Sequence, residues 1–320
     1  MSPLRKAAAL PLPLLLLLLP PQPLRLPPLR PLPLRPLSAG DGRSLPGRGL
    51  LFFPSSHVPL FISQNREKRK KEIDESCRTA YNETDLERNG SVEHMRIATA
   101  EQMRTLDRRA IEERGVPSLE LMERAANALA EAAIDTAANA PGRAVCFCGP
   151  GNNGGDGVAC ARLLLEAGFE VRCILVGQRE KLNCDTRAME ARLAAAGGVL
   201  EPFTPDDPDF AAWCLKADVM VDAIFGIGLN TEVRGDALTA VHMMNTCDIP
   251  VVSADIPSGV EADTGRVLGE AVRAARTVTF TLPKAGHYVG KGGLCTGVLT
   301  VADIGIPRDL VDGEDYPVQT

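Results

Sequence analysis

The chain has 320 residues, which suffices for one large domain or two. Its formal net charge of -6 excludes a generally basic nucleic-acid binder, and 45% hydrophobic residues are ample for a core. The nine cysteines are odd in number and dispersed, which is typical of reduced thiols, so we expect a cytoplasmic protein. Because the net charge is negative, we expect no nucleic-acid partner.

The first 94 residues differ in composition from the rest of the chain. Residues 1–40 contain eleven prolines and neither Asp nor Glu. A run of six leucines at residues 14–19 is too short to cross a bilayer as a helix, and its flanking prolines are untypical of a secretory signal. We therefore expect no membrane span. We interpret residues 1–94 as a disordered, or even spuriously translated, leader; a targeting segment for an organelle or for secretion is the alternative.

Two helices are predicted next. Thr99 and Gln102 form the pattern of a capping box, and apolar residues then recur at helical spacing. Ser118 is expected to cap a second helix, whose apolar residues repeat by threes and fours.

From residue 143 onward, strand and helix patterns alternate. Strands are predicted at 143–148, 170–176, 218–224, 249–254, 276–281 and 297–303, and helices at 155–167, 185–196, 208–216 and 235–246. Strands such as residues 219–221 are apolar on both faces, as buried parallel strands are. The alternation predicts the α/β class: a doubly wound, mostly parallel sheet with helices on both faces, a Rossmann-like three-layer sandwich. One domain would span residues 95–308, and residues 309–320 would be a polar tail or the start of a linker.

The segment 149–157 is rich in glycine and asparagine and lies between a predicted strand and a predicted helix. Strand, glycine-rich turn and helix in that order make an anion-binding site, because backbone N–H groups and the helix dipole point at the ligand. Three further strand ends carry glycine together with Asp, Ser, Asn or Lys, at residues 222–232, 255–259 and 282–287. Because ligands of such sheets bind at the carboxyl ends of strands, these segments predict a nucleotide site.

Several alternatives bear on this prediction. Asp222 and Asp255 could each cap a helix, Lys284 could be a solvated surface lysine, and His287 could be a structural or a surface residue. Residues 149–154 fit the dinucleotide pattern G-x-G-x-x-G, yet the second strand ends without the acid that would hold a ribose. A P-loop is excluded because no Gly-Lys-Ser/Thr follows the glycines.

Three long motifs together resemble the NAD(P)H-hydrate epimerases, the YjeF N-terminal domain proteins. They are GPGNNGGDG at residues 149–157, DAIFGIGL at 222–229 and DIPSGV at 255–260, supported by TLPKAG at 281–286 and VADIGIP at 301–307. The resemblance covers about residues 97–308. It implies an isomerase that interconverts the R and S forms of hydrated NADH or NADPH at carbon six of the nicotinamide ring, a repair of damaged nucleotide.

The resemblance also implies the site residues. The hydrate would be held by Asn152, Asn153, Gly154, Gly155, Asp156, Gly226, Ile227, Gly228, Leu229, Asn230, Thr231, Glu232 and Asp255. A potassium ion would be bound by Asn153, Asp222 and Ser258, whose oxygens are the ligands that a hard cation prefers. Epimerisation needs an acid and a base, for which we expect Asp255 first and Lys284 second.

The implied partners are functional ones. A separate ADP- or ATP-dependent dehydratase would consume the S form, and relatives are commonly homodimers. The chain could also be the front piece of a bifunctional epimerase-dehydratase. A non-catalytic scaffold or protein-binding module on the same fold is the alternative function, although such a module would be free to lose the polar loop residues that this chain keeps.

Overall fold

The computed structural model of the protein describes residues 96–313. The predicted leader, residues 1–94, and the end of the predicted tail, residues 314–320, lie outside the described residues. Within residues 96–313, no helix is both long and apolar enough to cross a bilayer.

Within the part of the chain that the structure describes, seven parallel strands form one sheet. In chain order they are β1 Arg143–Cys148, β2 Glu170–Leu175, β3 Leu200–Pro202, β4 Val219–Ala223, β5 Val251–Ala254, β6 Arg276–Phe280 and β7 Val298–Ala302. Their order across the sheet is β3-β2-β1-β4-β5-β6-β7, and each neighbouring pair is parallel. The predicted α/β fold with a parallel sheet is confirmed.

Eight α-helices lie among the described residues. They are α1 Ala100–Glu112, α2 Ser118–Thr136, α3 Asn152–Glu166, α4 Cys184–Ala195, α5 Pro208–Cys214, α6 Gly235–Thr246, α7 Gly290–Gly293 and α8 Arg308–Asp312. The predicted capping box of α1 is confirmed: Gln102 N donates to Thr99 Oγ1 at 3.2 Å, and Thr99 N donates to Gln102 Oε1 at 2.8 Å.

Both faces of the sheet are buried. Alternate residues of β1 point to opposite sides, so Cys146 and Cys148 join a core formed with α1 to α4, whereas Val145 and Phe147 join a core formed with α5 and α6. This is why the strands are apolar at consecutive positions rather than at every second one.

The chain reverses its direction of travel across the sheet between β1 and β4. From β1 it runs outward through β2 to β3, and it then returns to place β4 beside β1 and continues to β7. Such a switch point leaves a crevice at the carboxyl ends of the two central strands, because the connections leave them toward opposite faces. The loops after β1 and β4 meet there.

Two short helices, α7 and α8, were not predicted, and most of α8 lies in the predicted tail; the structure differs from the predicted elements in three further places. Strand β3 was not predicted, because three residues carry too short a pattern. Helix α3 begins at Asn152, three residues before the predicted start, since tertiary packing overrides the low helix propensity of Asn and Gly. Ser118 is the first residue of α2 rather than its cap: Pro117 occupies the N-cap position and makes no side-chain capping bond.

Candidate active site

A cavity of about 570 Å³ opens at the carboxyl ends of β1, β4, β5 and β6. Its walls come from α1, from α2, from the first turn of α3 and from the loop after β4. The cavity lies at the switch point of the sheet, where such folds bind their ligands. Its volume is in the range of small-molecule sites in proteins, roughly 300–1,000 Å³.

The first turn of α3 is packed so closely against the preceding loop that only glycine fits at residue 154. A side chain at Gly154 would collide with the backbone carbonyl of Gly149, and one at Gly155 would collide with Met122. Gly149 N in turn donates to Ala223 O of β4 at 2.9 Å, which fixes the turn between the two central strands. These glycines therefore shape the cradle at the start of α3.

Two asparagines of this turn face the cavity. Asn152 Oδ1 accepts a hydrogen bond from Asn183, the N-cap residue of α4. The amide of Asn153 is buried, and neither its oxygen nor its nitrogen has a partner among the described residues. Because a buried amide without hydrogen-bond partners is energetically costly, Asn153 is a candidate to bind a ligand or an ion.

Asp255 and Lys284 form a buried ion pair at the bottom of the cavity. Lys284 Nζ lies 2.7 Å from Asp255 Oδ1, and only 1% of the lysine is exposed. Nζ also donates to Thr279 Oγ1 at 2.8 Å and to Phe280 O at 3.4 Å, so all three of its hydrogens are engaged. Burial works to raise the pKa of Asp255, but Lys284 outweighs it and the net pKa lies below the usual range.

Asp255 is held on its backbone side as well. It adopts a left-handed conformation with φ 63°, which is uncommon for a residue other than glycine. His287 Nδ1 accepts from Lys284 N at 3.0 Å, so its Nε2 carries the proton and donates to Asp255 O at 2.8 Å. Burial, aided by Lys284, lowers the pKa of His287 to about 4, and the ring is neutral. His287 is therefore an interior residue and not a surface one, and its ring contacts the backbone of both Lys284 and Asp255.

Asp222 lies fully buried beside this pair, on β4. Its carboxylate accepts hydrogen bonds from Ser258 N at 2.8 Å, from Ser258 Oγ at 2.5 Å and from Ser253 Oγ at 2.8 Å. Burial raises its pKa, and these hydrogen bonds oppose the rise. Among the described residues no cation pairs with it. Asp222 and Asp255 cap no helix, so the capping alternative is wrong for both.

Two further carboxyl groups line the cavity. Asp156 projects from α3 just after its first turn, and Asp107 projects from α1. Burial raises the pKa of Asp156 well above its usual range, and the charges of Asp255 and Asp107 raise it further. Burial likewise raises the pKa of Asp107 to about 6, with Lys284 opposing and Asp255 adding to the rise. Neither carboxyl group makes a hydrogen bond or an ion pair within residues 96–313.

The predicted site residues divide into three groups. Those that line the cavity are Asn152, Asn153, Asp156, Gly226, Ile227, Gly228, Leu229, Asp255 and Lys284. Gly154 and Gly155 lie behind the lining and shape it, and Asp222 and Ser258 are fully buried. Asn230, Thr231 and Glu232 are exposed and lie outside the lining, and Glu232 pairs with Arg234 at 2.8 Å; a contact between these three and a ligand stays a prediction.

Sequence reasoning missed Asp107, Thr279 and Ser253. Asp107 stands next to Leu106 of the apolar stripe of α1, and an acid at the border of a buried stripe is the signal that could have found it. Thr279 and Ser253 lie inside strands and supply the hydroxyl groups that engage Lys284 and Asp222. A polar residue in an otherwise apolar buried strand is the corresponding signal there.

Comparison with known proteins gives a consistent result. The profile of the family described as "YjeF-related protein N-terminus" matches residues 118–286. An NAD(P)H-hydrate epimerase of Oenococcus oeni is 38% identical over 208 residues, which are 65% of this chain and 96% of that protein. A bifunctional NAD(P)H-hydrate repair enzyme of Moorella thermoacetica is 41% identical over 230 residues, which are 69% of this chain and 43% of that enzyme. The chain thus spans less than half of the bifunctional relative.

Among solved structures, the crystal structure of yeast ynu0 superimposes with a TM-score of 0.59, covering 71% of this chain and 96% of that one. Its sequence identity to this chain is 22%, so the likeness shows the fold alone.

Proposed function

The chain belongs to the family of YjeF-related N-terminal domain proteins, and we propose that it is an isomerase that interconverts the R and S forms of hydrated NADH and NADPH. The observation that carries the proposal is the cavity at the switch point, which holds the family's polar residues in one place. A protein-binding module would need no buried lysine-aspartate pair at the bottom of a small-molecule cavity. The relatives that match over nearly their whole length are named as epimerases.

The cavity suits a nucleotide with a hydrated ring. The first turn of α3 presents the N-terminal end of a 15-residue helix to the cavity, where a phosphate group is stabilised by backbone N–H groups and the helix dipole. The guanidinium of Arg104 lies at the same cavity and donates to Ile227 O at 3.1 Å, within reach of a second anionic group. The carboxyl groups of Asp107, Asp156 and Asp255, which also line the cavity, would then contact the hydrated nicotinamide ring.

The reaction requires the hydroxyl group at carbon six to leave and to return from the other face. Carbon six bonds both the hydroxyl and the ring nitrogen, so the nitrogen lone pair can expel water and leave a planar iminium ion. Water that adds to the opposite face gives the other epimer. A positive charge therefore develops on the ring, and a negative group held beside it stabilises the transition state.

We assign that negative group to Asp255. Lys284 and the N–H of Ile227 hold its carboxylate in the ionised form and in one orientation. Gly226 has no side chain, and a methyl group there would lie 2.8 Å from Asp255 Oδ2, so the glycine keeps this oxygen accessible. Lys284 has no free hydrogen to offer the substrate, and we assign it a positioning role.

We also propose a potassium site formed by Asn153, Asp222 and Ser258. Its support is the unpartnered amide oxygen of Asn153 together with the buried negative charge of Asp222. These are hard oxygen donors, which suit an alkali cation better than a transition metal. When bound, the ion would offset the carboxylate charge beside a phosphate-bearing substrate.

Three further assignments belong to the proposal. A dehydratase that consumes the S form would act after this protein, and the bifunctional relatives, which are named as repair enzymes, support such a coupling. A homodimer is the proposed assembly. A cytoplasmic location is supported by the eight described cysteines, which are all free thiols.

An epimerisation assay tests the function. The full chain is added to purified R hydrate together with a dehydratase that accepts only the S form, and NADH absorbance reports the conversion. We expect consumption of the R form well above the spontaneous rate. Folded protein that leaves the spontaneous rate unchanged would contradict the proposal and favour the scaffold alternative.

A further inference from the structure

The two carboxyl groups of Asp107 and Asp156 have no structural task that the structure reveals. Each lines the cavity, from α1 and from α3 respectively, and neither is engaged by a hydrogen bond or an ion pair anywhere in residues 96–313. Asp255, by contrast, has both carboxylate oxygens engaged, by Lys284 and Thr279 on one and by Ile227 N on the other. Desolvated carboxyl groups without partners are costly, and they persist where a reaction uses them.

We propose that Asp107 and Asp156 are the proton-transfer pair of the epimerisation, with Asp156 as the acid and Asp107 as the base in one direction and the roles exchanged in the other. The proposal deepens the function proposed above and rests on it. Its first support is placement: the two groups come from different elements, α1 and α3, that bound the same cavity. An epimerase that works on two faces of one carbon needs a group for each face.

The surroundings of Asp156 and Asp107 give the two carboxyl groups different pKa values, as an acid and a base require. Asp156 is buried and faces two other carboxylates, and both effects raise its pKa well above the usual range, which favours the protonated form. The pKa of Asp107 is raised to about 6, so its carboxylate is mostly ionised at pH 7. A pair of carboxyl groups with separated pKa values is the usual arrangement of an acid and a base in one site. The charged and titratable groups around Asp107 are Arg104 on its own helix, Asp156 on α3, Asp185 on α4, Asp255 after β5 and Lys284 after β6.

The step balances without any other reactant. Asp156 gives its proton to the hydroxyl oxygen, the carbon–oxygen bond breaks, and the ring nitrogen lone pair forms the C=N bond of the iminium ion. A second water adds to the opposite face while the C=N electrons return to nitrogen, and Asp107 takes the proton of that water. Asp107 is then protonated and Asp156 ionised, which is the arrangement that the reverse conversion requires. Exchange with solvent restores the first state.

The test compares four variants of the full chain with the wild type, using chromatographic separation of the R and S forms. For Asp107→Asn and Asp156→Asn we expect kcat/KM to fall by about 10²- to 10⁴-fold, the usual worth of general acid–base catalysis. Asp107→Glu keeps a carboxyl group and should recover part of the rate. Glu112→Gln is the matched control, because Glu112 lies on the same helix α1 and is exposed; it should retain the wild-type rate.

Two readouts separate catalysis from structure. The wild-type kcat/KM should decline as pH falls through about 6, the pKa of the Asp107 base, and Asp107→Asn should lack that decline. The melting temperature of Asp107→Asn should equal or exceed that of the wild type, because the substitution removes an unpaired desolvated carboxylate.

The outcomes are distinguishable. Inactive wild type would overturn the proposed function itself. Active wild type with Asp107→Asn within threefold of it, or with an unchanged pH decline, would overturn the proton-transfer pair. Loss of activity in Asp107→Asn with a lowered melting temperature and no recovery in Asp107→Glu would likewise overturn it, since that combination belongs to a structural residue.

Discussion

Asp255 combines an unusual backbone conformation, a buried charge and a position in the wall of the cavity. Its left-handed φ of 63° costs free energy, and the bonds from His287 and Lys284 maintain it. Backbone strain of this kind clusters at functional sites, and a buried ion pair beside it fixes the position of the carboxylate. Substitutions of Asp255 and Lys284 separate the contribution of this pair to stability from its contribution to activity.

Asp255→Asn leaves the ammonium of Lys284 buried without its counter-charge, so we expect the free energy of unfolding to fall by about 3–5 kcal/mol. The double variant Asp255→Asn with Lys284→Met removes both charges and should recover most of that loss. Activity should stay at least about a hundredfold down in both proteins, because the carboxylate beside the iminium ion is missing. Urea unfolding and the epimerisation assay measure the two effects. Recovery of activity along with stability would show that the pair is purely structural.

His287 makes stability depend on pH with a defined sign. Its pKa is 6.5 unperturbed and about 4 in the folded protein, so the unfolded chain binds the proton more readily between these values. The stability that the neutral ring contributes is therefore complete above pH 6.5 and is lost as pH falls toward 4. The stability difference between the wild type and His287→Gln should shrink by roughly 2–3 kcal/mol from pH 7.5 to 4.5. A difference that is constant with pH would contradict a neutral buried His287.

Single residues of the site were predictable where a motif carried them, as with Asn153 and Asp255, and not where tertiary contacts create the role. Thr279 reads from sequence as one more residue of a strand, and its use appears only when β6 lies beside β5 and Lys284 folds back over it. Asp107 belongs to a helix far from the motifs in sequence. Its position at the cavity depends on how α1 docks onto the sheet.

At the scale of elements, the start of α3 shapes the site most. Residues 152–154 are helical, whereas the sequence suggested a loop there, because Asn and Gly have low helix propensity. Close packing of this turn on Gly149 and Met122 stabilises the helical conformation. The early helix start also aims its N–H groups at the cavity.

Two glycines of this region allow a matched comparison. A methyl group at Gly154 would overlap the backbone of Gly149, which cannot move without disturbing β1 and β4, so Gly154→Ala should destabilise the fold by about 1–3 kcal/mol or more. Gly151 has φ -92° and nothing within 4 Å of an added methyl group, so Gly151→Ala should change stability by less than about 1 kcal/mol. Thermal unfolding of both variants measures this. Equal melting temperatures would contradict the packing assigned to Gly154.

At the scale of the whole molecule, the layered architecture followed from sequence because buried parallel strands have an unmistakable pattern. Strands β1, β4 and β5 are apolar on both faces, and the helices between them carry apolar stripes. The strand order did not follow from the sequence, since β3 is three residues long and the return from β3 to β4 depends on which face α5 covers. The sequence predicted a site at the ends of strands. Its position between β1 and β4 could not be predicted, because it depends on the strand order.

The proposed potassium ion should stabilise the folded protein as a whole. An ion that binds only the native state raises the melting temperature with concentration by mass action. We expect potassium chloride to raise the melting temperature of the wild type more than choline chloride at equal ionic strength. The extra rise should vanish in Asn153→Ala, which lacks the unpartnered amide. An equal response of both proteins to the two salts would contradict the site.

The fate of the oxygen at carbon six during a conversion tests the proposed reaction most directly. The full chain is incubated with purified R hydrate in water enriched in oxygen-18. The S form is isolated before the reaction reaches equilibrium, and its mass is measured by mass spectrometry. Departure of one water and addition of another predicts that each newly formed S molecule carries the heavy oxygen at carbon six. An S product that retains the original oxygen would contradict the iminium route, and a failure to form S above the spontaneous rate would contradict the function.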